Sequence, residues 1–275
     1  LVAGLSAVLL KARLEKMRLQ PKKAFGQNFL INQQVIGKVV SAVKERKFSE
    51  LIEIGPGLGA ITEPMLEAGL KPKLIELDPD LIAYWQSLEQ TPIVAGDALK
   101  LDWEQMNLPP DSLLVSNLPY QISTSIVIDR CLGPVNLRWM ILMFQKEVAQ
   151  RLTAAPRTKE YGMLSVMAQL HFKMLKVADA SPRDFYPAPK IASRVLYFER
   201  KPVENLGMPF LKFVKRAFAL RRKFLLKNLT GSVDKASLQR LGLKETVRAE
   251  ELAPAQFVEL FRTVQAEPVQ TEPVT

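Results

Sequence analysis

The chain is 275 residues long, with 48% hydrophobic and 24% charged residues, enough for one large α/β domain plus a small second one and unlike a disordered tail. Its 38 Lys and Arg against 28 Asp and Glu give a formal charge of +10 and a pI near 9.6, which suits a polyanionic partner through counterion release and equally a surface kept soluble by lysine. One cysteine, Cys131, and one histidine, His171, exclude a disulfide framework and a Cys/His metal centre, so no metal is expected.

Leu1 to Leu10 form an apolar run too short to span a bilayer. Lys11, Arg13, Lys16 and Arg18 follow that run rather than precede it, the reverse of a secretory signal. Met17 is read as the natural start with residues 1–16 an upstream extension, and residues 1–20 are set apart as a leader or extension of uncertain role, although an organellar presequence has a similar composition. A cytoplasmic chain with no membrane segment is expected. From about Glu50 to Glu199, short apolar runs alternate with amphipathic stretches. Leu51–Ile54, Lys73–Leu77, Pro92–Val94, Leu113–Ser116 and Met140–Phe144 have the character of buried strands, and Ile61–Ala68 and Leu81–Leu88 that of helices. This alternation predicts a mostly parallel sheet covered on both faces. Phe172–Val177 and Arg194–Phe198 add two strands around a proline-rich loop, Ser181–Pro189. Pro202, Gly207 and Pro209 then punctuate a boundary, beyond which Phe210–Leu229 and Lys235–Val264 read as helices. The expectation is an α/β, Rossmann-like domain over residues 21–202 and a small helical domain over 203–275, whose end frays from Glu267.

Glu53-Ile54-Gly55-Pro56-Gly57-Leu58-Gly59 follows the first of these strands and opens a helix at about Ala60. Glycines there let the backbone turn tightly and approach a ligand. Glu76 ends the next strand 21 residues after Gly55, close to the ~20-residue spacing at which an acidic side chain meets a ribose. Gly96-Asp97-Ala98 follows the third strand, where a carboxylate can accept from an adenine amine. Several nucleotide-like cofactors satisfy this pattern. The lack of a lysine after the glycine loop argues against a triphosphate, and a neutral loop suits a sulfonium amino-acid cofactor better.

The fourth strand ends in Asn117-Leu118-Pro119-Tyr120. An adenine N6 is a poor nucleophile because its lone pair is delocalised into the ring. Acceptors aimed at its hydrogens, here the Asn117 side-chain oxygen and the Leu118 carbonyl, favour a more pyramidal nitrogen. Pro119 stiffens the turn, and Tyr120 offers an aromatic face to an unstacked base.

With Lys22-Lys23-Ala24-Phe25-Gly26-Gln27-Asn28-Phe29-Leu30, Gln145–Ala149, Tyr161-Gly162, Phe185-Tyr186-Pro187-Ala188-Pro189-Lys190-Ile191-Ala192-Ser193 and Arg216-Ala217-Phe218…Arg221-Arg222-Lys223 added, the chain from Pro21 to Phe261 resembles the KsgA/RsmA-type ribosomal RNA small-subunit adenine-N6,N6 dimethyltransferases. The resemblance implies a class I methyltransferase sheet with S-adenosyl-L-methionine as cofactor. Asn28, Leu30, Gly55, Gly57, Glu76, Asp97 and Asn117 would line its pocket, Glu76 holding the ribose hydroxyls and Asp97 the adenine. Asn117, Leu118, Pro119 and Tyr120 would form the catalytic corner, and Phe185 a second aromatic wall facing Tyr120. The implied substrate is a pair of adjacent adenosines in the 3′-terminal loop of small-subunit (16S) rRNA, dimethylated late in subunit assembly. Ala24 and Met163 stand where many relatives carry a basic residue, and Ala192 where an acidic one is common.

Arg216, Arg221, Arg222, Lys223 and Lys227 cluster at helical spacing, and Lys22, Lys23 and Lys190 extend a surface for phosphates. Phe213, Phe218 and Phe224 are expected to pack inward. The resemblance implies small-subunit rRNA or an immature small ribosomal subunit as the partner, and the chain is expected to be a monomer. The alternatives are a large-subunit rRNA methylase of the erythromycin-resistance type, a non-catalytic RNA-binding or transcription-factor relative, and, disfavoured for want of a target-recognition domain, a DNA adenine methylase.

Overall fold

The computed structural model describes residues 7–22 and 25–266. The chain first forms α1 (Ala7–Lys16), a two-residue strand β1 (Phe29–Leu30) and α2 (Gln33–Lys44). Strands and helices then alternate as β2 (Leu51–Ile54), α3 (Thr62–Glu67), β3 (Lys73–Glu76), α4 (Pro79–Leu88), β4 (Ile93–Ala95), β5 (Ser112–Ser116), α5 (Ser123–Leu132) and β6 (Leu137–Gln145). Next come α6 (Lys146–Leu152), α7 (Met163–His171), β7 (Phe172–Ala180), β8 (Phe185–Tyr186) and β9 (Ser193–Arg200). α8 (Gly207–Ala217), α9 (Leu225–Asn228), α10 (Lys235–Arg240) and α11 (Pro254–Ala266) complete the described residues.

The sheet runs β4-β3-β2-β5-β6-β9-β7. β2 lies between β3 and β5 and is parallel to both, β4 and β6 continue the parallel run, and β9 returns antiparallel to β6. Every residue of β2 and β5 is buried, because a parallel strand covered on both faces has no wet side; this is why those strands read as unbroken apolar runs. Parallel pairing also brings the carboxyl ends of β2, β3, β4 and β5 to one edge of the sheet, where such folds bind ligands.

Local chemistry sets the helix starts. Asn32 caps α2, its Oδ1 accepting from Gln34 N and Val35 N, while its amide donates to Asp184 Oδ1 at 2.7 Å. Asp78 caps α4 ahead of Pro79, the residue that suits a first helical turn. The leader is not a loose extension among its described residues. It forms α1, with Leu10 wholly buried and Leu14 nearly so in the core that holds Phe29, Leu30 and Leu58. Fully burying one such leucine stabilises by roughly 1.5–3 kcal/mol.

Two compact units emerge. One holds the residues up to Ala149 together with Lys173–Arg200, and the other holds Gln150–Phe172 and the chain from Lys201. Residues 150–172, which the sequence pattern keeps with the first domain, thus belong to the second. Within it, the Tyr161 hydroxyl donates to the Leu252 carbonyl at 2.7 Å. The Tyr161 ring meets Phe218 edge-on, and Phe218 stacks on Phe257. Two helices expected as single rods are broken. The first ends at Ala217 because Asn228 reaches back, its amide donating to the Ala217 and Leu220 carbonyls and its Oδ1 accepting from Leu220 N. That side chain satisfies the last carbonyls a helix leaves open and holds residues 218–224 as a turn. The second breaks at Gly242, which adopts φ +65°, and restarts at Pro254.

Candidate functional site

In the first unit, the carboxyl ends of the parallel strands and the segment before α2 enclose a cavity with about 1140 Å³ of empty space, its mouth included. Asn28, Leu30, Gly55, Gly57, Glu76, Asp97, Asn117, Leu118, Pro119 and Tyr120 all line it. Residues more than 90 positions apart in sequence are brought together because those from Gly55 onward sit at the ends of parallel strands or in the loops that follow them, while Asn28 and Leu30 come from the segment before α2.

The glycine loop leaves β2 at Gly55, whose N–H donates to the Ile75 carbonyl at 2.9 Å. Gly57 turns at φ +57°, and a Cβ there would stand 3.1 Å from the Phe29 ring; only glycine allows both the turn and the close approach. Glu76, at the end of β3, is 8% exposed. Its Oε1 accepts from Leu77 N at 2.7 Å and Asp78 N at 2.9 Å. Burial raises the carboxyl above its ordinary range, while the backbone N–H groups of Asp78, Leu77 and Gly57 pull it back. Asp97 Oδ1 accepts from Leu99 N at 3.0 Å, so the carboxylate is held by its own turn.

Asn117 donates from Nδ2 to the Asn28 carbonyl at 3.1 Å, which leaves Oδ1 as the acceptor available to the cavity. Tyr120 is half-buried, and its hydroxyl shares a 2.7 Å hydrogen bond with Ser193 Oγ. Burial raises its pKa and the Ser193 bond opposes that shift. Ser193 closes the proline-rich motif, so that motif steadies the aromatic ring through its last residue, a role that no sequence pattern assigns to it.

Glu53, Phe25 and Gln27 also line the cavity, three residues beyond those expected of the site. Glu53 carries a signal in its place, an acidic residue inside an otherwise apolar strand. It is buried, and that burial, opposed by the Thr62 hydroxyl donating to Oε2 at 2.7 Å and aided by Glu76, pushes its carboxyl up to about 8. The folded pKa lies above the ordinary value of 4.5. The stability linked to a neutral Glu53 is therefore complete below that value and is lost as pH rises through about 8. Glu53→Gln keeps the acceptor for Thr62 without an ionisable group. Its melting temperature should match wild type at about pH 5 and exceed it increasingly towards about pH 9. A gap that stays constant across that range would mean that the folded state does not raise the Glu53 pKa.

Several expected site residues are placed elsewhere. Phe185 is not among the residues lining the cavity. β8 pairs antiparallel with β1, Phe185 opposite Leu30, and strand alternation turns its ring into the core, where it is 3% exposed. Lys22 does not stand free for a phosphate. Its Nζ lies 2.6 Å from both Asp78 Oδ1 and Asp80 Oδ2, and Gln27 donates to the second Asp78 oxygen at 2.8 Å. Lys22 thereby ties the cavity-lining segment to the end of β3. Lys23 lies outside the described residues. Lys190 is exposed.

In the second unit, the guanidinium of Arg216 donates to the carbonyls of Asn228 and Thr230 and to Ser232 Oγ, so it braces the chain after α9. Arg221 pairs with Glu250 at 2.7 Å and donates to the Thr158 carbonyl. Arg222, Lys223 and Lys227 are exposed. Phe213 packs inward and Phe218 is half-buried, but Phe224 is 46% exposed, beside exposed Leu220, because Asn228 turns the backbone away from the helical path that would have buried it.

Cys131 is buried and its thiol is pushed up to about 12, chiefly by that burial, which leaves it inert. Among the described residues no group of three His, Cys, Asp or Glu side chains is placed to hold a metal ion, and no helix is long and apolar enough to cross a membrane.

Comparison with known proteins converges on one family. The family model described as ribosomal RNA adenine dimethylase matches residues 18–266. The chain is 49% identical over 259 residues to the ribosomal RNA small subunit methyltransferase A of Bdellovibrio bacteriovorus, covering 90% of this chain and 94% of that protein. It is 40% identical over 261 residues to the ribosomal RNA small subunit methyltransferase A of Syntrophotalea carbinolica, covering 90% of this chain and 98% of that protein. Among solved structures, a dimethyladenosine transferase from Plasmodium falciparum superposes with a TM-score of 0.72 at 24% identity, covering 86% of this chain and 98% of that one. The 23S rRNA methyltransferase ErmE does so with 0.62 at 24%, covering 86% and 100%. Both structural likenesses speak for the fold alone, the α/β methyltransferase architecture. With the family model spanning nearly every described residue and relatives at this identity, the chain belongs to the ribosomal RNA adenine dimethylase family.

Proposed function

We propose that this chain uses S-adenosyl-L-methionine to dimethylate the exocyclic N6 of two adjacent adenosines in the 3′-terminal loop of small-subunit rRNA. The observation that carries the reading is a cavity that gathers the glycine loop, Glu76, Asp97 and Asn117–Tyr120. It acts as a cytoplasmic monomer on an immature small subunit, the form of substrate that the resemblance implies.

The residues present fit the cofactor. Gly55 and Gly57 let the backbone come close, the Glu76 carboxylate suits a ribose diol, and Asp97 suits an adenine amine. When bound, the cofactor supplies an activated methyl group on a sulfonium, so no metal or covalent enzyme intermediate is called for. The chain's own contribution is orientation and charge placement. Asn117 Oδ1 and the Leu118 carbonyl accept the N6 hydrogens, Pro119 stiffens the corner, and the Tyr120 ring, steadied by Ser193, holds the unstacked base. Water takes the released proton. In this reading Phe185 acts from behind, fixing Leu30 in the cavity wall.

The test is transfer of labelled methyl groups to undermethylated small subunits and to large-subunit rRNA in parallel. Label recovered as N6,N6-dimethyladenine in small-subunit RNA supports the reading. Label confined to large-subunit RNA moves the chain to the erythromycin-resistance type, and cofactor binding without transfer to either moves it to the non-catalytic relatives.

Arg222, Lys223 and exposed Phe224 are the residues of the second unit that the reading assigns to RNA. Reversing Arg222 and Lys223 to Glu should weaken RNA binding and flatten its salt dependence, by about 0.7–0.9 in log–log slope for each phosphate no longer neutralised. Phe224→Ala should weaken binding with the slope kept, since stacking releases no counterions. Arg221→Glu should instead lower the melting temperature, because it breaks the pair with Glu250. An unchanged slope in the double reversal would remove this turn from the RNA interface.

A further inference from the structure

The helix α1 lies outside the stretch matched by the family model, which begins at residue 18. It nevertheless reaches the back of the glycine loop. Leu10 and Leu14 anchor it in the core, and Lys11 Nζ sits 5.0 Å from the centre of the Tyr186 ring on β8. Arg13 points to the loop itself. Its Nη1 donates to the Leu58 carbonyl at 2.7 Å, and the guanidinium pairs with Glu63 at the start of α3.

Glu63 is itself part of the loop's packing. Its N–H donates to the Gly59 carbonyl at 2.9 Å, and its side chain fills the space where a Cβ on Gly59 (φ +89°) would come within 2.9 Å. On α4, Trp85 Nε1 donates to the Gly57 carbonyl at 2.9 Å. Tyr84, edge-on to Trp85, lies 6.0 Å beneath the Arg13 guanidinium. Successive carbonyls of residues 57, 58 and 59 are thus each held from behind by a different donor: Trp85, Arg13 and the backbone of Glu63.

A held carbonyl fixes the N–H of the next residue, because the peptide unit is planar. The Leu58 carbonyl shares its peptide unit with the Gly59 N–H, which donates to the Pro56 carbonyl at 2.9 Å. Arg13 therefore steadies the turn that follows Gly55 and Gly57, which line the cavity; glycines have the widest choice of conformation. Holding this loop before a ligand arrives removes part of the ordering cost of binding. Arg13 is suited to the task, since its planar fork serves a carbonyl and a carboxylate at once.

We propose that α1 is a strap for the glycine loop and that Arg13 is a positioning residue for cofactor binding. This rests on the reading of the cavity as the S-adenosylmethionine site. The experiment is calorimetric titration of wild type, Arg13→Ala and Arg13→Lys with S-adenosylmethionine, alongside KM for the RNA substrate and the melting temperature. Arg13→Ala should bind the cofactor about tenfold more weakly, a change of ~1.4 kcal/mol, with KM for RNA unchanged. Arg13→Lys should recover part of the loss, since one ammonium can reach the Leu58 carbonyl or Glu63 but cannot reproduce the fork. Arg13→Ala binding as tightly as wild type, with or without a lower melting temperature, would reduce α1 to a stabilising element. Should Arg13→Ala fail to fold, Arg13→Lys decides alone: wild-type affinity overturns the strap. Wild type that binds no S-adenosylmethionine would instead sink the cofactor reading on which the strap depends.

Discussion

Replacing Asn117 by alanine should lower methyl transfer by about 10²–10³-fold, the scale on which removing one preorganised hydrogen-bond partner from a reacting centre acts. Asn117 is held before substrate arrives, since its Nδ2 is engaged by the Asn28 carbonyl at 3.1 Å. That bond fixes the orientation of the amide at the cavity wall. Alanine removes the acceptor for N6 and leaves the Asn28 carbonyl without this donor, so the variant tests both. Two measurements separate them: single-turnover transfer to small subunits, and cofactor affinity by calorimetry. The expected pattern is a large fall in turnover with affinity within a few-fold of wild type. Asn117→Asp keeps an acceptor but turns a carboxylate oxygen towards the Asn28 carbonyl, so it should recover only part of the rate. Wild-type turnover in Asn117→Ala would show that the corner acts through its backbone and Tyr120 alone. A fall confined to cofactor affinity would make Asn117 a binding residue only.

The second large effect is expected at Glu76. A carboxylate that accepts hydrogen bonds from two hydroxyls contributes about 1.5–3 kcal/mol for each charge-assisted bond, and the loss of one such bond is roughly a 10–150-fold change in dissociation constant. Glu76→Ala should weaken S-adenosylmethionine binding within or beyond that range, and Glu76→Gln by less. Burial raises the Glu76 pKa, and the ionised form is the better acceptor. Wild-type affinity should therefore be greatest above that raised pKa and decline as pH falls through it, whereas Glu76→Gln should show no such decline. Identical pH profiles for the two proteins would place the titrating group elsewhere, and unchanged affinity in Glu76→Ala would remove the ribose assignment.

Most of the cavity could be read in one dimension because a parallel sheet converts sequence order into spatial convergence. The ends of β2, β3, β4 and β5 meet at one edge whatever the side chains do, so Gly55, Glu76, Asp97 and Asn117 had to meet once the strands were recognised. Strand recognition itself rested on burial of both faces, which leaves an apolar run in the sequence. The basic residues were legible as a cluster but not as a set of roles. Lys22, Arg216 and Arg221 look like Arg222 and Lys223 in sequence. Their partners lie 56–58, 12–16 and 29–63 residues away, and no spacing rule connects them.

By itself, then, the sequence determined the sheet, the glycine loop, the acidic residues at the strand ends and the Asn-Leu-Pro-Tyr corner, all features that depend on local backbone preference and on which faces must be dry. Only the tertiary structure decided which side chains are free to act. It turned Phe185 into the core by its register against Leu30 and turned Phe224 out to solvent through the reach of Asn228. It engaged three basic residues in internal bonds and set Arg13 against the Leu58 carbonyl. The physical reason is the same in each case: a side chain's partner is chosen by packing between segments distant in sequence.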